Sequence, residues 1–331
     1  MGSPGDRDMP INVRMTQPGA LFSDAVAPLA TLTPREARAR RETLFAESFG
    51  VSARRRAAAA AGLLGAARLA ALPACLDLLL RESFIKAAGL PAPESALSKP
   101  DGLCGLVSDA SPEAVLEGLH RGLYPSANWG PPRWWSPGTR SALRPASCKL
   151  TNEARRLLRR EALEFEFDAD FDASAAALSR SRWGFRAGRL RSPRGLNLLA
   201  GLADLGFAHA LDAWDAKGRR VATAHGVVVG GVFTTLGVAG VDRDHAEAAL
   251  VVLNRHLRVK GFALHEFAGG ADMGRLGFLP VPRDAFLAVL RETSGAGRAG
   301  RWRADPALRG RMTPNAGNDD REIEAGRSRA A

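Results

Sequence analysis

Glu266 lies in "ALHEFA" (263–268), a lone acid in an apolar run, beside His265. Such a run reads as a strand, whose successive side chains point to opposite faces. Among His265, Glu266 and Phe267, one side chain is then expected to face a cleft. A carboxylate in apolar surroundings can take or relay a proton, and His265 is the alternative base. A second string, "RWWSPGTR" (133–140), sets Trp134 beside Trp135. One core cannot easily absorb both rings, so the second ring needs another task. A third, "RSRWGFRAGRLRSPR" (180–194), interleaves Trp183 with Arg182, Arg186, Arg189, Arg191 and Arg194, and "RRLLRR" (155–160) adds four more arginines. Rings mixed with guanidinium groups suit a nucleic-acid strand. His209, His225, His245 and His256 show no ligand spacing, and the three cysteines form no CxxC, so no metal is expected.

The balance of charge agrees. The 331 residues carry a net charge of +11, nearly all of the positive charge as arginine, with a sequence pI near 10.7. A polyanionic partner would explain that excess, because arginine neutralises phosphates and releases counterions. Widely spaced cysteines and a polar start, "MGSPGDRDMP", point to a reduced, cytoplasmic protein without a secretory signal. The apolar stretch 57–80 is interrupted by Arg68, Pro73 and Asp77. It reads as an Ala/Leu helix broken at the proline rather than a membrane span.

Elements to position these residues can be read along the chain. Residues 1–100 form an Arg/Ala-rich extension, disordered at first, then helical from "TPREARARRETLF" with Thr33 as cap and Pro34 in the first turn. Residues 101–160 form a small domain containing the helix "SPEAVLEGLHRG" and an irregular Pro/Trp segment over 124–140. In residues 161–292, "EFEF" (164–167) alternates as a half-buried strand and leads into a helix near Asp172. A helix over about 192–205 precedes three meandering strands, "AHALDAW", "RVATAHGVVV" and "VFTTLGVAG". Helix 244–261, strand "FALHEF" and helix "PRDAFLAVLRE" follow. Residues 293–331 read as a disordered tail. The order is that of an α+β protein.

Several strings together resemble the leucyl/phenylalanyl-tRNA–protein transferase family. "GLVSDASPEAVLEGLHRGLYP" (105–125) with "WWSPGTR" (134–140) is similar to its early segment. "LADLGFAHALDAW" (202–214) and "RLGFLPVPRDAF" (275–286) are similar to its middle and closing blocks. The resemblance spans about residues 105–290. It implies a small N-terminal α/β domain plus an acyltransferase domain of the N-acetyltransferase superfamily. The implied activity moves an apolar, Leu/Phe-like amino acid from charged tRNA to the N-terminal amino group of an acceptor protein. No metal or organic cofactor is implied, and the chain is expected to act as a monomer away from membranes.

The residues also depart from that pattern. The family's block G-x-x-F-x-G-E-S-M falls at "GGVFTTLGV", so Leu236 stands at the glutamate and Val238 at the methionine, while Phe233 fits. Glu266 stands for the family's aspartate, and Ala268 replaces its glutamine. The resemblance then assigns Glu266 as the catalytic acid. It assigns Phe233, Leu236 and Val238 to the aminoacyl pocket, and Trp134, Trp135, Trp183, Arg186 and Arg189 to the RNA end. Two alternatives are a relative that binds charged tRNA or protein N-termini without transfer, and an acyltransferase using a coenzyme A thioester. The second is disfavoured by the missing R/Q-x-x-G-x-G/A loop.

Overall fold

The structure, a computed structural model, describes residues 33–54, 57, 73, 89–99, 101–126, 132–161, 163–180, 184–186, 192–268, 273–295 and 299–302. Trp183, Arg189 and most of the 57–80 stretch lie outside the described residues. Among those described, no helix is long and apolar enough to cross a membrane.

The architecture is α+β. A small sheet of three short strands runs in the order β1 (Leu103–Leu106), β3 (Arg133–Trp135), β2 (Tyr124–Ser126). The large sheet is built on β7 (Ala208–Trp214), β8 (Arg220–Val229) and β9 (Val232–Gly240), the three strands that alternation and turn residues predict. Their neighbours are β5 (Glu164–Phe167) on one side, and β10 (Leu264–Phe267), β4 (Thr139–Leu143) and β11 (Leu279–Pro282) on the other. The pairs are antiparallel except β9–β10. The segment expected to be irregular over 124–140 therefore holds β2, β3 and the start of β4. That last strand crosses from the 101–160 segment into the large sheet.

Beyond β10 the same edge of β9 is taken over by β6 (Gly184–Arg186), which pairs with Gly237, Val238 and Ala239. The change of partner coincides with a β-bulge. His225 opposes Gly237 while the next residue, Gly226, opposes Thr235, so Leu236 is the extra residue.

The helices follow their sequence signals. Helix α1 (Pro34–Leu44) opens with a capping box in which Thr33 and Glu36 satisfy each other's amides. In α2 (Pro112–His120), Ser111 Oγ accepts from the Ala114 amide, with proline at the first turn. Helices α3 (Asn152–Arg160), α4 (Phe171–Arg180), α5 (Pro193–Asp204), α6 (Arg243–Val259) and α7 (Arg283–Glu292) follow.

The large sheet divides the core in two. Leu211, Phe233, Val238 and Phe267 pack with α6 in one cluster. Trp134, Ala210, Val227 and Leu236 pack with α2, α4, α5 and α7 in the other. Close approach fixes the seam between the sheets. A Cβ on Gly118 of α2 would sit 2.5 Å from the Trp134 ring, so only glycine lets the indole lie against the helix. The tail corrects its expectation at its start. Trp302 is buried in the α6 cluster, and the Gly300 amide donates to Gly206 O at 3.0 Å. Residues 303–331 lie outside the described residues.

Candidate functional site

Glu266 is 2% exposed, a buried acid rather than a surface one at a strand end. Strand pairing sets it beside Ala142 of β4 and Thr234 of β9. Thr234 Oγ1 donates to Oε2 at 2.8 Å, and Arg140 Nη1 donates to Oε1 at 2.9 Å. Two of the carboxylate's roughly four lone-pair positions are thereby engaged.

Arg140, the last residue of "WWSPGTR", is as buried as its partner. Its Nη2 donates to Gly122 O and to Ser136 Oγ, the latter at 3.0 Å. The guanidinium lies between two rings, 5.2 Å from the Tyr124 centroid and 4.6 Å from that of Phe286. Burial is the largest single influence and opposes its charge, yet Glu266, Tyr124 and Cys104 together outweigh it and the pKa is raised above the ordinary arginine value. A buried charge of this kind persists only when paired. Arg140 thus ties the tryptophan turn of the small sheet to the acid of the large one. The motif named it but assigned it no task. A cation spaced five residues after an indole pair was the available signal.

The two tryptophans differ in burial, although Trp135 packs against the same cluster that contains Trp134. Trp134 is buried against Gly118, whereas Trp135 is only partly buried. Leu236 lies in the same core cluster as Trp134. Phe233 and Val238 are packed in the other cluster, with His265 and Trp302 against the Phe233 ring. The structure therefore brings Glu266, Arg140, Trp134 and Leu236 to one side of the sheet. It sets Phe233 and Val238 on the other. Arg186 takes its place in β6 opposite Gly237. In α3, Arg156, Arg159 and Arg160 are exposed and Arg155 partly so.

His265, the alternative base, is fully buried. The Asn254 amide nitrogen donates to Leu250 O, which leaves Asn254 Oδ1 to accept from Nδ1–H of His265 at 2.8 Å. Thr235 Oγ1 donates to Nε2 at 2.7 Å. Both ring nitrogens are engaged in the neutral form, and burial pushes the pKa down to about 3. This histidine joins β9, β10 and α6 and has no lone pair left for a substrate.

One further feature escaped the sequence. A cavity of about 440 Å³ opens beside β7, with Arg41, Asp168, Phe171, Asp172, Asp204 and His209 in its wall. Asp168 adopts a left-handed φ of 49°. From there its carboxylate accepts from His209 Nδ1, from the Ala210 amide and from the Trp302 amide, at 2.7, 2.8 and 2.7 Å. Trp302 stacks on His209 with ring centroids 4.0 Å apart. Pairing aligns Ala208, Val227, Thr234 and Glu266 in one row across the sheet. Three strand spacings, about 14 Å, therefore separate this cavity from Glu266.

Residues 142–291 match the family model described as leucyl/phenylalanyl-tRNA protein transferase. A protein of that name from Alkalilimnicola ehrlichii is 31% identical over 221 residues, 66% of this chain and 85% of its own length. One from Thiobacillus denitrificans is 31% identical over 215 residues, 64% of this chain and 93% of that one. One from Aromatoleum aromaticum is 32% identical over 220 residues, 66% and 92%.

Proposed function

The chain belongs to the leucyl/phenylalanyl-tRNA–protein transferase family, and from that membership we propose that it moves an apolar, Leu/Phe-like amino acid from charged tRNA to the N-terminal amino group of a protein. The α-amino nitrogen attacks the ester carbonyl, the C–N bond forms, and the bond to the ribose oxygen breaks. The attacking amine must shed a proton, because with an unperturbed pKa of about 7.7–8.0 it is mostly protonated at neutral pH. That first proton goes to solvent; Glu266 then holds the neutral amine, takes the second proton from nitrogen as the C–N bond forms, and passes it to the departing ribose oxygen. Much of the acceleration comes from holding the two reactants together.

The single observation that carries this reading is the Arg140–Glu266 pair, which joins the indole pair to the one acid buried in β10. Trp135, partly exposed beside buried Trp134, offers the face on which the terminal adenosine stacks. The exposed arginines of α3, with Trp183, Arg186 and Arg189, contact phosphates and bases further along the RNA. Leu236 and the apolar side chains around it accept the aminoacyl group, and Phe233 and Val238 shape that pocket from behind the sheet. We read the large sheet as an acyltransferase domain of the N-acetyltransferase superfamily. The parallel pair β9–β10, parting at the Leu236 bulge, supports that reading. The chain acts in the cytoplasm, as a monomer, without a metal or organic cofactor.

The test is transfer of label from Leu-, Phe- and Met-tRNA to a protein with an N-terminal Arg or Lys. Label in the acceptor is the expected result. Binding of charged tRNA without transfer would replace this reading with that of a binding protein, and activity with an acyl-coenzyme A alone would overturn it.

A further inference from the structure

We propose that helix α1 clamps α4 against the face of the sheet that carries the proposed site, with Arg40 and Arg41 as positioning residues for binding of charged tRNA. This inference rests on the transferase reading. Helix α1 lies outside the matched segment 142–291. Its 11 residues, mostly charged, are too few to hold a helix in water on their own.

Docking holds it instead, through unusually buried charge. Arg40 Nη2 donates to Asp170, and its Nη1 lies 3.5 Å from Asp172. Arg41 Nε donates to Asp172 at 3.0 Å, while Nη1 and Nη2 grip Asp204 at 2.7 and 2.6 Å. Both guanidinium side chains are mostly buried, and that of Asp172 is 2% exposed. Beyond the helix, Phe45 enters the core cluster, and Arg180 Nη2 donates to Leu44 O at 2.7 Å. Helix α4 is thus held at both ends, by its first-turn acid and its last-turn arginine. Burial raises the pKa of Asp172, and Arg41 and Arg40 pull it back. Without those two guanidinium groups this carboxylate would lose the charges that compensate it at the seam between α1 and α4.

What α4 covers gives the clamp its purpose. Phe171 stacks near His225, which opposes Gly237 at the bulge. Leu178 presses on Gly237, where an added Cβ would come within 2.6 Å of its Cδ2. Arg180, at the helix end, leads within four residues to β6, the strand that takes over the edge of β9. Displacement of α4 would therefore loosen Leu236, Gly237 and Arg186 together. Glu266, held by Arg140 and Thr234, would keep its place. Affinity for charged tRNA is expected to fall while the chemical step persists.

The experiment compares Arg40→Gln/Arg41→Gln with Arg40→Lys/Arg41→Lys in the full chain. Readouts are hydrogen exchange of residues 171–180, melting temperature, and kcat and KM for Leu-tRNA with an acceptor bearing N-terminal Arg. The glutamine pair should exchange faster over 171–180 and raise KM about tenfold with kcat within about twofold, and the lysine pair should recover part of the loss. Unchanged exchange over 171–180 with unchanged KM would overturn the clamp. So would a fall in kcat at constant KM that merely tracks the loss of folded protein. Should the glutamine pair fail to fold, Asp204→Asn removes only the outer grip and should raise KM about threefold. If the unaltered chain transfers nothing, the transferase reading fails separately, and exchange with filter binding of Leu-tRNA still decides the clamp.

Discussion

Removing one partner of the Arg140–Glu266 pair tests the centre of the proposed site most directly. The two side chains are 2% and 3% exposed, with 2.9 Å between nitrogen and oxygen. At an effective dielectric near 20, opposite charges about 4 Å apart attract by about 4 kcal/mol, most of it offset by their desolvation. Deleting one partner leaves the other charge buried alone, at about 3–5 kcal/mol. Arg140→Met and Glu266→Gln should each lower the unfolding free energy obtained from urea titration by that amount. The double variant should be less destabilised than the sum, by about 2 kcal/mol or more. Equilibrium unfolding gives the stability cycle, and single-turnover transfer gives the activity of the folded fraction. Glu266→Gln should abolish transfer even after correction for stability. Arg140→Met should retain a reduced rate, because the acid survives. Additive stability losses would show that the two groups do not feel each other. Full transfer by folded Glu266→Gln would remove the acid from the mechanism.

Three further outcomes follow. Trp134→Ala, which empties a buried site against Gly118, should cost about 3–5 kcal/mol, while Trp135→Ala should chiefly raise KM for charged tRNA. Equal stability losses with no binding change would refute the division of labour between the rings. Gly118→Ala should destabilise by about 1–3 kcal/mol despite alanine's better helix propensity, since the added methyl meets a rigid ring; a raised melting temperature would contradict this. Burial lowers the pKa of His225 to about 4 and of His265 to about 3. The folded chain keeps both neutral while the unfolded chain binds protons below about pH 6.5. Their stabilisation is complete above that pH and declines toward pH 4, by about 1.4 kcal/mol per pH unit for each. Asp172 and Asp212, raised by burial, offset part of the decline. His265→Gln should flatten the dependence of the urea midpoint on pH over that range, and an unchanged slope would refute the assignment.

Much of the large sheet was legible because its signals are local. The alternation of "EFEF", the "DAKG" turn and the Ser-Pro-Glu helix start each depend on a few neighbouring residues. The short strands β2, β3, β4 and β11 were not legible. β2, β3 and β11 contain a proline or sit beside one, and β4 finds its partner β10 only across the fold. Glu266 and the unequal tryptophans could be read from alternation. The grouping of Phe233, Leu236 and Val238 could not. In a regular strand Leu236 and Val238 share a face, and one extra residue at the bulge sends Val238 to the opposite side. Trp302 was invisible because one ring in a polar tail carries no period.

Three ties described above join residues far apart along the chain: Arg40 to Asp170, separated by 130 positions, Arg140 to Glu266 by 126, and Trp302 to Asp168 by 134. Each closes a long loop whose entropy must be lost before the contact rewards it. Refolding from denaturant should accordingly be slow. Half-formed chains should pause with the meander built and its seams open, the moment at which association between molecules competes with completion.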